Sequence, residues 1–135
     1  MSIWLKNLIG IFLILHGLAY GIMLDPTSNT LGSGMGKFWS RRVGSKILSS
    51  INVSEYRIRV IAIIISFIIL VCFIIAGSNI LATGALNKFS FTLTLISASI
   101  AIIFMISYWH IYTISGFLVN IAILVIIPIL YIKLR

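Results

Sequence analysis

Apolar side chains run almost unbroken through four stretches of the chain, residues 3–23, 58–81, 89–109 and 112–132. Each is close to the ~20 residues that a helix needs to cross a hydrocarbon core. The first is interrupted by Lys6 and His16 and stops at Asp25-Pro26, where a charge meets a ring that a helix interior rejects. A cleaved signal peptide has a shorter apolar region and ends on a small-residue pair. Here the apolar run is longer, and Ala19 with Gly21 is the one small pair near its end, so we read it as a span. The second and third stretches are joined by Thr83-Gly84-Ala85-Leu86-Asn87-Lys88, short and polar enough for antiparallel neighbours. The third and fourth nearly touch. A single helix of about 40 residues would be ~60 Å long, twice the hydrocarbon thickness, so a break is required around residues 110–115. Trp109, His110 and Tyr112 suit an interface there. Pro128 falls in the last turns of the fourth stretch, where a kink is tolerated.

The segment between the first two spans has two parts. Residues 27–36 are rich in Ser, Thr, Asn and Gly and read as a flexible loop. From Lys37 onward Trp39, Val43, Ile47 and Ile51 recur every four residues, while Arg41, Arg42, Ser45, Lys46 and Ser49 occupy other faces. This spacing predicts an amphipathic helix over residues 37–51, lying in the headgroup region with Lys37, Trp39, Arg41, Arg42 and Lys46 toward lipid. An irregular basic loop held by Trp39 alone is the plainer alternative; the Phe38-Trp39 pair favours the helix. The expected architecture is all-α: one transmembrane domain, an integral membrane four-helix bundle with an interfacial helix between the first and second spans.

Composition narrows the function classes. Of 135 residues, 61% are hydrophobic and 9% charged, and the mean hydropathy is +1.21, so neither a soluble fold nor a soluble catalytic domain fits. The net charge of +8 comes from 10 Lys and Arg against 2 acidic residues. In so apolar a chain that excess speaks to orientation and anionic lipid, and we exclude nucleic acid as a partner. With an even number of spans both termini share one side with the turn at Lys88. That side holds Lys6, Lys88, Lys133, Arg135 and the terminal amine; the other holds Lys37, Arg41, Arg42, Lys46, Arg57 and Arg59. The positive-inside rule then puts loop 24–57 in the cytoplasm, with Lys6 beside the amine as the opposing signal. Asn52-Val53-Ser54 matches a glycosylation acceptor, a triplet that arises readily by chance and carries no weight. A single cysteine, Cys72, excludes an internal disulfide or a cysteine-based cluster.

Ionisable and amide side chains are costly inside a membrane, and here they are few. His16 lies about seven residues before the end of the first span, about 10 Å below the interface. Asn120 is a similar number of residues into the fourth span, which starts on the same side, and His110 sits at the turn between the third and fourth. Tyr20 shares the His16 face four residues on, while Tyr112, Gly116 and Asn120 form one stripe. A pocket of His16, Tyr20, Tyr108, His110, Tyr112 and Asn120, with Asp25 and Arg57 at its mouth, would bind a quinone carbonyl, a carboxylate or a water chain. The plainer reading is an interhelical hydrogen bond, with Asn120 the leading partner of His16. It carries more weight. A bis-imidazole haem is disfavoured because the two histidines differ in depth, and no further ligands exist for a metal. Asp25 and Glu55 are the only side-chain carboxylates, so no acid pair is available, and Ser107 and Ser115 lack a Ser-His-acid set. No catalytic residue is assigned, and quinone is the one cofactor kept as an expectation. Gly17 with Gly21, Thr94 with Ala98 and Ser97 with Ala101 are small pairs four apart that suit close helix packing. Thr92, Thr94, Ser97 and Ser99 would line a polar path, but such hydroxyls satisfy themselves on carbonyls one turn back.

Four short motifs carry a family resemblance: Leu15-His16-Gly17-Leu18 in the first span, Ala76-Gly77 in the second, Trp109 closing the third, and Gly116-x-x-x-Asn120 opening the fourth. Over most of its length the chain resembles small four-helix integral membrane proteins of bacteria and archaea, distantly DoxX-like. Related sequences usually carry an acidic and a basic residue just after the tryptophan; here His110, Ile111 and Tyr112 stand there, and the basic loop is longer. The resemblance implies a four-helix bundle in a prokaryotic cell membrane and hints at quinone-coupled sulfur oxidation or redox partner complexes. Two functional expectations follow. One is a non-catalytic accessory or structural subunit that docks other membrane subunits, a second copy or anionic lipid. The other is a redox or transport component binding a quinone or small solute near His16 and Asn120. The shortage of carboxylates favours the first.

Overall fold

A computed structural model describes residues 3–21, 46–108 and 114–133. The chain is all-α, with α1 (Ile3–Gly21), a single-turn α2 (Lys46–Ser50), α3 (Glu55–Thr83), α4 (Lys88–Ser107) and α5 (Ile114–Lys133). The four long helices form a bundle, and each is long and apolar enough to cross a membrane. At 29 residues α3 is the longest, about 43 Å on the standard rise. It starts a turn before the predicted span, and Tyr56 and Arg57 in that extra turn are exposed.

Local chemistry sets the helix ends. Gly84 follows α3 with φ of 60°, a left-handed conformation that relieves the last turn and that a Cβ would strain. The next helix begins under Asn87, whose side-chain oxygen accepts the Ser90 amide at 2.9 Å, an N-cap that satisfies one of the free amides of the first turn. α4 ends where the Tyr108 amide donates back to the Phe104 carbonyl at 2.9 Å. The break between α4 and α5 splits an apolar run too long for one crossing.

Successive long helices are antiparallel. α1 packs along α3, α3 along α4 and α4 along α5. At the α1–α3 seam a Cβ added to Gly77 would stand 2.5 Å from the Gly10 carbonyl oxygen, and one added to Gly17 would stand 2.8 Å from the Phe73 Cβ. Glycine is needed at both points for the backbones to approach this closely. α4 and α5 are locked at one end by Phe91 stacked on Tyr131, ring centroids 4.1 Å apart. Leu13, Ile69, Phe73, Ala76, Ala98 and Ala101 are fully enclosed between the helices. α1 and α5 lack such close backbone packing; long side chains span their seam instead.

Large apolar side chains also point outward on every long helix, among them Trp4, Leu8 and Leu15 on α1, Phe67 on α3, Ile103 on α4 and Val125 on α5. In water such a surface would be an aggregation hazard, whereas in lipid it is the expected exterior, so the fold fits an integral membrane protein.

Of the predicted interfacial helix, residues 46–50 are helical and 37–45 lie outside the described residues. α2 ends in a Schellman-type turn. The Val53 amide donates to the Leu48 carbonyl at 3.2 Å, and Asn52 takes the left-handed position with φ of 59°. Leu48 and Val53, the hydrophobic pair that accompanies this turn, pack against the core. Ile47 and Ile51 are exposed, so these two members of the every-fourth stripe face away from the bundle.

Candidate functional site

Asn120 is fully buried on α5 and is the hub of a polar cluster bridging the α1–α5 seam. Its side-chain nitrogen donates to the Gly116 carbonyl one turn back at 2.7 Å and to the Tyr20 hydroxyl at 2.8 Å. Its side-chain oxygen lies 3.2 Å from His16 Nε2. The Tyr20 hydroxyl in turn points its proton at the Met105 sulfur, 3.9 Å away on α4. Three helices therefore meet at one amide. Both amide hydrogens and the amide oxygen are engaged, so Asn120 is satisfied at a position fully enclosed by the helices.

Aromatic rings enclose the histidine. Phe12, one turn earlier on α1, stacks on the His16 imidazole at 5.9 Å with planes 8° apart. Phe73 of α3 meets it edge-on at 5.0 Å and 77°, and Tyr20 does so at 5.6 Å and 87°. Tyr20 is almost fully buried and itself stacks on Phe73 at 6.4 Å. His16 is only partly buried, as is Gly116, whereas Tyr20, Met105 and Asn120 are buried. Gly116 contributes twice, since its carbonyl anchors Asn120 and its missing side chain makes room for the Met105 methyl.

The structure thus brings His16, Tyr20 and Asn120 together. It does not bring Tyr108 to them. That hydroxyl donates to the Ile58 carbonyl at 2.7 Å and ties the end of α4 to the start of α3, because the last turn of α4 rotates the ring toward α3 rather than across the bundle. His110, Tyr112 and Asp25 lie outside the described residues, as do Lys37, Trp39, Arg41 and Arg42 of the basic segment; Lys46 opens α2. Gly17 and Gly21 both face α3, where a Cβ at Gly21 would meet the Leu70 methyl at 2.8 Å. Ser97 and Ala101 are buried on α4. The hydroxyls of Thr94 and Ser97 donate to the Ser90 and Leu93 carbonyls at 2.7 Å each. Among the described residues no group of three or more His, Cys, Asp or Glu side chains is placed to hold a metal.

Sequence reasoning missed Met105 and Phe73, which look like ordinary core residues, and it missed a second polar cluster at the other end of the bundle. There the Asn79 side-chain oxygen accepts from both the Asn87 amide nitrogen and the Ser90 hydroxyl, each at 2.7 Å. The Thr83 hydroxyl donates to the Asn79 carbonyl at 2.8 Å. An Asn five residues before a Gly-Ala turn was the available signal. This cluster fastens the α3–α4 connection. Ser66 differs from the other buried hydroxyls: its oxygen is enclosed and without a partner among the described residues.

Comparisons with protein-family profiles, with characterised proteins and with solved structures gave no match to this chain.

Proposed function

We propose that this chain is a non-catalytic, small multi-pass membrane protein that serves as an accessory or structural subunit of a larger membrane complex. The observation that supports it is the saturation of Asn120. Its amide is hydrogen-bonded within the chain to His16, Tyr20 and Gly116, so it serves as an interhelical tie. Apolar outer faces on all four long helices give lipid and partner helices equivalent places to pack. In this reading the host is a prokaryotic cell membrane, loop 24–57 is cytoplasmic, and the basic segment around Lys37, Trp39, Arg41, Arg42 and Lys46 engages anionic headgroups. The DoxX-like resemblance is part of the same proposal.

The test is recovery of the tagged chain from its native membrane in mild detergent. A subunit comes out with a stoichiometric membrane partner or as a defined homo-oligomer. Recovery as a lone monomer from a native membrane would remove this reading.

A second reading, a redox or transport component that binds a quinone or other small solute near His16 and Asn120, rests on one observation: the His16 side chain is only partly buried. Extraction of the purified chain with organic solvent and chromatography for bound quinone tests it, and absence of any lipid-soluble ligand counts against it.

A further inference from the structure

The hydrogen-bond network around Asn120 decides which nitrogen of His16 carries its proton. The Gly116 carbonyl is an acceptor only and stands 2.7 Å from the Asn120 side-chain nitrogen. Turning the amide over would set two oxygens against each other at that distance, so the orientation is determined. The amide oxygen therefore faces His16 Nε2 at 3.2 Å, and an acceptor facing the ring nitrogen requires Nε2 to be the donor. A neutral imidazole has one N–H. Nδ1 is left with its lone pair.

That lone pair has no partner among the described residues, and Nδ1 is not among the enclosed polar atoms. It is thus a fixed acceptor, partly open, in a segment read as lying within the hydrocarbon, where an unmet acceptor is costly and no water replaces the missing bond. Aromatic rings surround the imidazole. Phe12 stacks on it, Phe73 stands nearly perpendicular to it, and Phe12 and Leu15 on the same helix are exposed to the exterior.

We propose that His16 Nδ1 is a binding point for the hydroxyl of a membrane-soluble phenol, taken up from the lipid side of α1. This rests on the second reading above and sharpens it. A phenol supplies the O–H donor that the lone pair requires, a ring that packs on Phe12, and an apolar tail compatible with lipid. A quinone carbonyl has no proton to give, so the neutral site selects the hydroxyl-bearing form of such a ring over its carbonyl form.

Nitrogen NMR on the full chain in lipid nanodiscs tests this, with isotope in the histidine ring and His110→Gln to leave one imidazole. The pH is held well above the ordinary imidazole value so that the ring is neutral. Before any addition Nε2 is expected to be protonated and Nδ1 bare. Titration with para-nonylphenol should move the Nδ1 resonance saturably, while its methyl ether, identical but without the donor, should leave it in place. In Asn120→Ala the preference for the Nε2–H tautomer should weaken. A proton found on Nδ1, no response to the phenol, or an equal response to phenol and ether each overturns the proposal. Quinone recovered from the native protein alongside a silent Nδ1 would retain small-solute binding and reject this site.

Discussion

The Asn120 amide nitrogen lies 2.8 Å from the Tyr20 hydroxyl, a residue 100 positions away, and so ties α5 to α1 across the seam where their backbones do not pack closely. Removal of the hub should therefore separate these helices more than removal of either spoke. In Asn120→Ala His16 loses its hydrogen-bond partner and Tyr20 keeps only the Met105 sulfur, and a loss of about 1–3 kcal/mol is expected from the stranded imidazole. Tyr20→Phe keeps the ring on Phe73 and should cost about 0.6–1.7 kcal/mol, the range for interhelical bonds in membranes. Unfolding in mixed micelles measures both, and the double variant should cost less than the sum because the two share one bond.

His16→Gln should retain the fold, since an amide replaces the single imidazole bond to Asn120. Retained assembly with a native partner would mark the residue as structural, whereas intact expression with lost activity would mark it as a ligand or proton site, because an amide does not titrate. Circular dichroism and co-purification on the same preparation separate these outcomes.

The two glycine contacts on α1 and α3 should differ in severity. A Cβ at Gly77 meets the Gly10 carbonyl at 2.5 Å and Ile14 at 2.8 Å, so Gly77→Ala must push two backbones apart. A Cβ at Gly21 meets only the end of the Leu70 side chain, which can turn aside. Gly77→Ala is expected to cost about 1–3 kcal/mol as overpacking, and Gly21→Ala distinctly less, measured as thermal unfolding in detergent.

Ser66→Ala should be neutral or stabilising, by up to about 1 kcal/mol, because it deletes an enclosed hydroxyl that has no partner among the described residues. Thr94→Val, a control that also removes a buried hydroxyl, discards a bond to the Ser90 carbonyl at 2.7 Å. A clear loss of stability in Ser66→Ala would show that the hydroxyl has a hydrogen-bond partner after all.

At the other end of the bundle, Asn79→Ala removes the acceptor for Asn87 and Ser90 together. Faster hydrogen exchange of residues 84–90 is expected, with the helices retained. Gly84→Ala isolates backbone strain, because nothing lies within 4 Å of the added Cβ while φ is 60°; a cost of about 1 kcal/mol is expected, and less for Gly84→Asn.

The side occupied by the basic loop is tested by a single cysteine at Ser33 in a Cys72→Ser background. An impermeant thiol reagent should leave it unlabelled on intact cells and label it after lysis. Rapid labelling of intact cells would invert the topology.

What the sequence determined by itself is the number of long helices, their up-and-down order and the shared level of His16 and Asn120. These depend on the length of apolar runs and on a rise of about 1.5 Å per residue, both local properties. Depth counting was enough to pair His16 with Asn120 because costly polar groups in hydrocarbon have few possible partners. The rotation of each helix about its own axis was not legible, since runs such as residues 67–76 are apolar on every side and present no polar face to indicate which side turns inward. Only tertiary packing decided that Gly10 faces Gly77, that Tyr108 reaches the Ile58 carbonyl instead of the Asn120 cluster, and that Asn79 fastens the α3–α4 turn. The same packing set the Gly116 carbonyl under the Asn120 amide, and that contact, invisible in a string of residues, determines which His16 nitrogen holds the proton.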